Sequence, residues 1–140
     1  MEETFRVLKK EGLVYAETPF MQQVHMGKYD FTRFTHLGHR RLFRGFREIK
    51  SGVVAGPGTA LAWAYQYFLA SFVETKLLRH LVIAFARSPS FFLKYFDYYL
   101  ANKPGSMDAA SCFYFFGKKS AKILSDDELL KLYKGSFFFS

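Results

Sequence analysis

Cysteine is nearly absent: Cys112 is the only one in 140 residues. One thiol excludes an internal disulfide and a cysteine metal cluster. Its neighbours (Cys112-Phe113-Tyr114-Phe115-Phe116) are aromatic, so a buried, inert thiol in a reducing compartment is expected. Acidic residues are scarce, 12 against 20 lysines and arginines, which leaves a formal charge of +8. That excess favours anionic partners such as nucleic acid, anionic lipid or an acidic substrate. A solvated charge that merely keeps molecules apart is the plainer alternative. Long hydrophobic runs are missing too. Ser51 to Val73 carries no charge, but Gly52, Gly56, Pro57 and Gly58 break its first part, and Ala60 to Val73 is too short to span a bilayer. The opening Met1-Glu2-Glu3 is acidic where a secretory signal is basic, so a cytoplasmic location is expected. Tryptophan occurs once, yet phenylalanine occurs 18 times. So much phenylalanine implies a thick core, an exposed apolar face, or both.

Half of the residues are hydrophobic, which suits one folded domain over residues 1–135, with 136–140 as a tail. Thr4 to Lys10 reads as a helix that Gly12 would cap. Leu13 to Ala16 reads as a strand closed by Pro19, and residues 18–34 as a long loop of the kind that is usually functional or mobile. Thr35 can cap a helix to about Phe43. Phe46 to Val54 is a second strand, followed by a turn at Ala55-Gly56-Pro57-Gly58 and a helix capped by Thr59. Lys76 to Ala86 predicts another helix. Ser88-Pro89 predicts the start of a separate one that stops at Pro104-Gly105. Ser111 to Gly117, almost wholly apolar, predicts a central strand. Ser125-Asp126-Asp127-Glu128 is a capping box, opening a helix that buries Leu129, Leu130 and Leu132. The order of elements predicts an α/β layer.

Arg6-Val7-Leu8-Lys9-Lys10-Glu11-Gly12-Leu13-Val14-Tyr15-Ala16-Glu17 resembles the helix, turn and fifth strand of class I S-adenosylmethionine-dependent methyltransferases. That family typically shows R-V-L-K-P-G-G before an apolar strand, and here Lys10-Glu11 stands for the Pro-Gly. Tyr29 to Phe43 resembles the family's next segment, a loop with an arginine–aromatic pair leading into the helix before the sixth strand. Cys112 to Phe116, followed by Gly117-Lys118-Lys119, resembles its antiparallel last strand. The resemblance implies a remnant of that Rossmann-like sheet: about three mixed strands with flanking helices and an aromatic-rich helical insertion over about 59–101. It implies methyl transfer from S-adenosylmethionine to a small molecule. It also implies that the first four strands, which carry the cofactor's Gly-rich loop, are not in this chain, so that the chain alone is incomplete and inactive. Cofactor-binding residues are therefore not assigned. The edge at Leu13-Ala16 would lie open to a second copy or a partner subunit.

By the same resemblance the end of the first strand here and the loop after it face the substrate. Glu17 or His25 could act as general base. Thr18, Phe20, Tyr29, Asp30, Arg33 and His36 would line the acceptor site, with Arg33 holding a carboxylate or phosphate. The bland alternatives are an ion pair for Glu17, a turn cap for Asp30 and core packing for Tyr29. His36 and His39 share a helix face and could join His25 and Asp30 on a metal; ordinary hydrogen-bonded histidines are the expectation, and no metal site is assigned. Gly56-Pro57-Gly58-Thr59 could hold an anion at a helix start, but a turn with a cap is expected. Arg40, Arg41, Arg44, Arg47 and Lys50 read as a solvated basic face. The aromatic helices Ala60 to Phe72 and Phe91 to Leu100 read as core, with a lid over the substrate or a face on lipid as alternatives. The competing function is a non-catalytic basic, aromatic-rich module that docks on a partner protein or makes peripheral contact with an anionic membrane; nucleic acid is not an expected partner.

Overall fold

Alternation along one short apolar strand decides which side of the sheet becomes core. In the computed structural model, which describes residues 2–24 and 27–136, Cys112–Lys119 forms the central strand β3 of a three-stranded sheet. Phe113, Phe115 and Gly117 point inward and are buried, while Tyr114, Phe116 and Lys118 point outward. β1 (Leu13–Pro19) pairs with one side of β3 and β2 (Phe46–Ala55) with the other. Register places Ala16 and Ser51 beside Phe115, and Thr18 and Val53 beside Phe113. Both pairings are antiparallel, so the mixed sheet expected from the sequence is in fact antiparallel throughout. β1 and β2 therefore run the same way, and their carboxyl ends lie at one end of the sheet.

The segment before β1 is α1 (Glu2–Val7), shorter than expected. Glu11, not Gly12, takes the left-handed conformation at its exit, with φ of 69°. An ion pair from Lys118 to Glu11 helps to hold that turn. Gly12 is needed for a different reason: a Cβ there would meet the Lys9 carbonyl oxygen at 2.9 Å. α2 (His36–Leu42) follows the long loop and begins at Thr35, whose side chain accepts from the Gly38 amide as its sequence position implies. Phe43 and Phe46, at its end and at the start of β2, close on Phe115 to form the core, joined by Phe5, Leu8, Val14, Ala16 and Leu42. α7 (Asp126–Leu130) has the full reciprocal capping box, but it runs for one turn only. It buries Leu129 and leaves Leu130 65% exposed, against the expectation that both would be core.

Between β2 and β3 the chain is helical: α3 (Pro57–Ala70), α4 (Lys76–Ser90), a 3₁₀ stretch over Phe91–Phe96, α5 (Asp97–Leu100) and α6 (Pro104–Ala109). Ser88-Pro89 does not start a helix. Pro89 lies inside the last turn of α4, which continues straight into the 3₁₀ stretch. The ring costs an amide but does not stop the run, because a helical turn can pass into 3₁₀ geometry at its end. The core reading of the aromatic helices also fails. Phe72 is 74% exposed, Phe91 59% and Tyr98 86%, because α3 packs with α4 and the 3₁₀ stretch through small residues such as Ala62, Ala70, Ala86 and Ser90. No helix among the described residues is long and apolar enough to cross a membrane.

Candidate functional site

The carboxyl ends of β1 and β2 are the natural place to look, since open α/β sheets bind ligands there. Two backbone bonds tie the start of the loop after β1 to the residues before β3: Phe20 N to Ser111 O at 2.8 Å and Met21 N to Ala110 O at 3.1 Å. The loop returns to the strand it left, with Phe34 N donating to Pro19 O at 3.3 Å. Ser111 N donates to Ala55 O at 2.8 Å, so the ends of all three strands are stitched together.

Three of the residues singled out in the sequence meet at Phe113. Phe20 stacks on its ring at 5.5 Å between centroids, and His36 approaches edge-on at 5.8 Å. Thr18 is its register partner on β1. Thr18 Oγ1 and both ring nitrogens of His36 are buried without a hydrogen-bond partner among the described residues. Such atoms are uncommon in folded proteins. Burial, followed by the positive charge of Lys134, holds the His36 pKa below its ordinary value, so the ring is neutral near pH 7. His39 is pushed down to about 4 by burial and by His36, between the rings of Phe43 and Phe115.

Arg33 and Asp30 have a structural task instead. The guanidinium binds both carboxylate oxygens of Asp30 and donates to the carbonyls of Gln22 at 3.1 Å and Gln23 at 3.2 Å. That clamp fixes the loop, so the Arg33 fork expected to hold a substrate anion is already filled. Glu17 sits on the opposite face of β1 from Thr18, exposed, and accepts from the Tyr15 hydroxyl. Tyr29 is 65% exposed with Lys28 over its ring. His25, the other candidate base, lies outside the described residues.

Two features escaped the sequence reading. The first is an inward polar cluster on β2. Glu48 accepts from Lys134 Nζ at 2.6 Å and from Ser51 at 2.8 Å, and Arg40 Nε faces its second oxygen at 3.3 Å. Burial raises the Glu48 carboxyl, but the bonds from Lys134 and Ser51 and the charges of Lys134 and Arg40 outweigh it and leave the pKa below the ordinary value. Arg40 is 3% exposed and also donates to the carbonyls of Phe43 and Phe46. Arg44 donates to Leu124 O, and both Arg41 and Arg44 reach Asp126, so part of the expected basic face ties α2 to α7, while Arg41, Arg47 and Lys50 stay exposed as expected. The basic run gave no hint of this, because Glu48 and Lys134 are far apart in sequence. A groove of about 600 Å³ lies alongside, between β2 and the segment around Leu132.

The second feature is Asp97. Its carboxylate accepts from the amides of Gly58 at 2.7 Å and of Gly56 and Thr59 at 3.0 Å each, and from the Thr59 hydroxyl at 2.6 Å. So α3 is capped by a residue 38 positions away from Thr59, not by Thr59 itself. The anion at this helix start belongs to the protein. Gly58 is required, since a Cβ there would lie 2.1 Å from the Leu93 carbonyl. A signal existed: Asp97 is the only acidic residue between Glu74 and Asp108.

This arrangement bears on how S-adenosylmethionine would fit. The glycine-rich turn between β2 and α3 has its amides at Gly56, Gly58 and Thr59 committed to Asp97. That turn therefore offers no free amides to the cofactor's phosphate-free ribose and carboxylate groups. No protein-family model matches the chain, and neither a curated protein nor a solved structure matches it either.

Proposed function

We propose that this chain is the acceptor side of a class I methyltransferase-like fold, acting with a separate cofactor-binding half. The reading rests on the resemblance of Arg6 to Glu17, Tyr29 to Phe43 and Cys112 to Lys119 to that family. The observation that carries it is the cluster at Phe113. Thr18 and His36 turn unpartnered polar atoms into an aromatic wall at the carboxyl end of β1. A small acceptor with a hydroxyl or amine would satisfy them, while Phe20 and Phe113 exclude water from its apolar part. Neutral His36 could take a hydrogen bond from that group and orient it; methyl transfer needs little more from the protein than such positioning. Two further observations support the reading. β3 is antiparallel to its neighbours, as the family's last strand is, and the outer edge of β1 has no strand beside it among the described residues. On this proposal that edge is where the other half pairs.

Co-expression with a polypeptide bearing the family's Gly-rich strand–loop–helix tests the proposal. The expected outcome is a stable complex that transfers label from S-adenosylmethionine to a small acceptor. His36→Phe in that complex should lower acceptor use at least about tenfold, by removing the buried hydrogen-bonding group, and leave cofactor binding unchanged. A complex without label transfer, or one whose acceptor use ignores His36, would overturn the reading.

A further inference from the structure

The helical layer between β2 and β3 spends its aromatic residues on solvent. Leu61, Tyr65 and Phe68 on α3, with Phe72 in the turn just after it, form an outward stripe, with exposures of 57, 36, 61 and 74%. On α4, Leu77, Leu81 and Phe85 form a second, 72, 58 and 70% exposed. The opposite side of α4, with Ala86 and Ser90 buried, is the side that packs inward. The 3₁₀ stretch adds Phe91, Phe92, Tyr95 and Phe96, each about half exposed or more. Phe68 and Phe72 meet edge-to-face at 5.3 Å, and a short link leads from them to α4. Exposed apolar stripes on this scale are unfavourable in water unless something covers them.

Charge says what covers them. Between Pro57 and Lys103 the chain carries Lys76, Arg79, Arg87, Lys94 and Lys103 against only Glu74 and Asp97. The Asp97 carboxylate is turned inward and held by the amides of the α3 N-terminus. Lys94 and Lys103 lie over the rings of Tyr95 and Tyr99, so cations border the aromatic surface. Phenylalanine and leucine stripes bordered by lysine and arginine fit the boundary between headgroups and acyl chains of an anionic bilayer. A second copy of the same +8 chain would instead meet its own charge. α3, uncharged over 14 residues, is about 21 Å long and can lie in that boundary but not span the bilayer.

We propose that the α3–α4 hairpin and the adjoining 3₁₀ stretch dock this protein, face down, on an anionic membrane surface. The proposal goes beyond the methyltransferase reading and does not depend on it.

Vesicle flotation tests it. The full chain should bind phosphatidylcholine vesicles containing about a third phosphatidylglycerol, bind pure phosphatidylcholine at least about tenfold more weakly, and release as salt rises from about 0.1 to 0.5 M. Phe72→Ser with Leu81→Ser and Phe85→Ser should cut binding about tenfold or more, and Lys76→Glu with Arg87→Glu should do the same. Hydrogen exchange on the unaltered chain gives a readout that needs no variant: vesicles should slow exchange in residues 61–96 and leave β1, β2 and β3 unchanged. Equal binding to neutral vesicles, binding untouched by these substitutions, or protection confined to the sheet would overturn the proposal. So would a dimer in lipid-free solution that the serine substitutions dissolve, because the occupant would then be a second copy.

Discussion

The sheet and the helical layer use the same residue type for opposite purposes. Around the sheet, Phe43, Phe46, Phe113 and Phe115 are at most 3% exposed and pack in stacked or edge-on pairs. Polar groups there are drawn in with them: Arg40 lies over the Phe115 ring, and Glu48, Ser51 and Lys134 close a hydrogen-bonded cluster. In the helical layer the small residues are buried and the rings face out. The difference comes from what each element has to pack against. β3 has a neighbour on both edges and α2 over its inner face, so its rings find partners. α3 and α4 approach each other through alanine and serine, so their rings are left on the outside. An aromatic residue is thus a statement about free energy available, not about position.

The comparison sets the order of the expected effects. Phe115→Ala removes a ring stacked on Phe43 at 4.8 Å and should cost about 3–5 kcal/mol of stability in urea unfolding. Phe85→Ala, at 70% exposure, should change it by less than about 0.5 kcal/mol. Comparable losses at the two positions would erase the distinction between the regions.

Acid comes next. His39 titrates near 4 when folded and at its ordinary value of 6.5 when unfolded. Between those values the unfolded chain binds more protons, so stability is intact above about pH 6.5 and falls by about 3 kcal/mol as pH drops toward 4. His36, also lowered, adds to the loss in the same direction. A pH series of unfolding midpoints should show this slope, and His39→Leu should flatten it.

Asp97→Ala reaches into the other region. It strips four hydrogen bonds from the start of α3 and should cost about 2 kcal/mol. Hydrogen exchange should then rise in α3 before it rises in β3; a loss spread evenly over the chain would mean that the two regions unfold as one. Among the substitutions expected to destabilise, the smallest effect falls at Ser125→Ala, about 1 kcal/mol, from the capping box of α7. Its check is a thermal melt, with the change confined to a slightly lower midpoint.

Local signals in the sequence read well where the interaction is local. Thr35 and Ser125 cap their helices as their positions imply, and the apolar run at 112–116 is the central strand. Readings failed where a distant residue intervened. Thr59 lost its capping task to Asp97, and Arg40, in a run that looked solvated, was drawn inside by Glu48 and two carbonyls. Pro89 failed as a helix start because its neighbours continue as 3₁₀. Of the candidate site, Thr18, Phe20 and His36 come together, whereas Arg33 and Asp30 satisfy each other and Glu17 faces the other way. The sequence marked this loop as functional in character, but it did not reveal which of its charges were already paired.

The central claim is that this chain supplies the acceptor side of the fold and no cofactor site. Titration calorimetry of the purified chain with S-adenosylmethionine tests it most directly, with a far-UV spectrum to establish folding. The account predicts a folded chain and no heat of binding, because the amides of Gly56, Gly58 and Thr59 are held by Asp97. Micromolar binding by the chain alone would contradict it and would mean that these residues build a cofactor site after all.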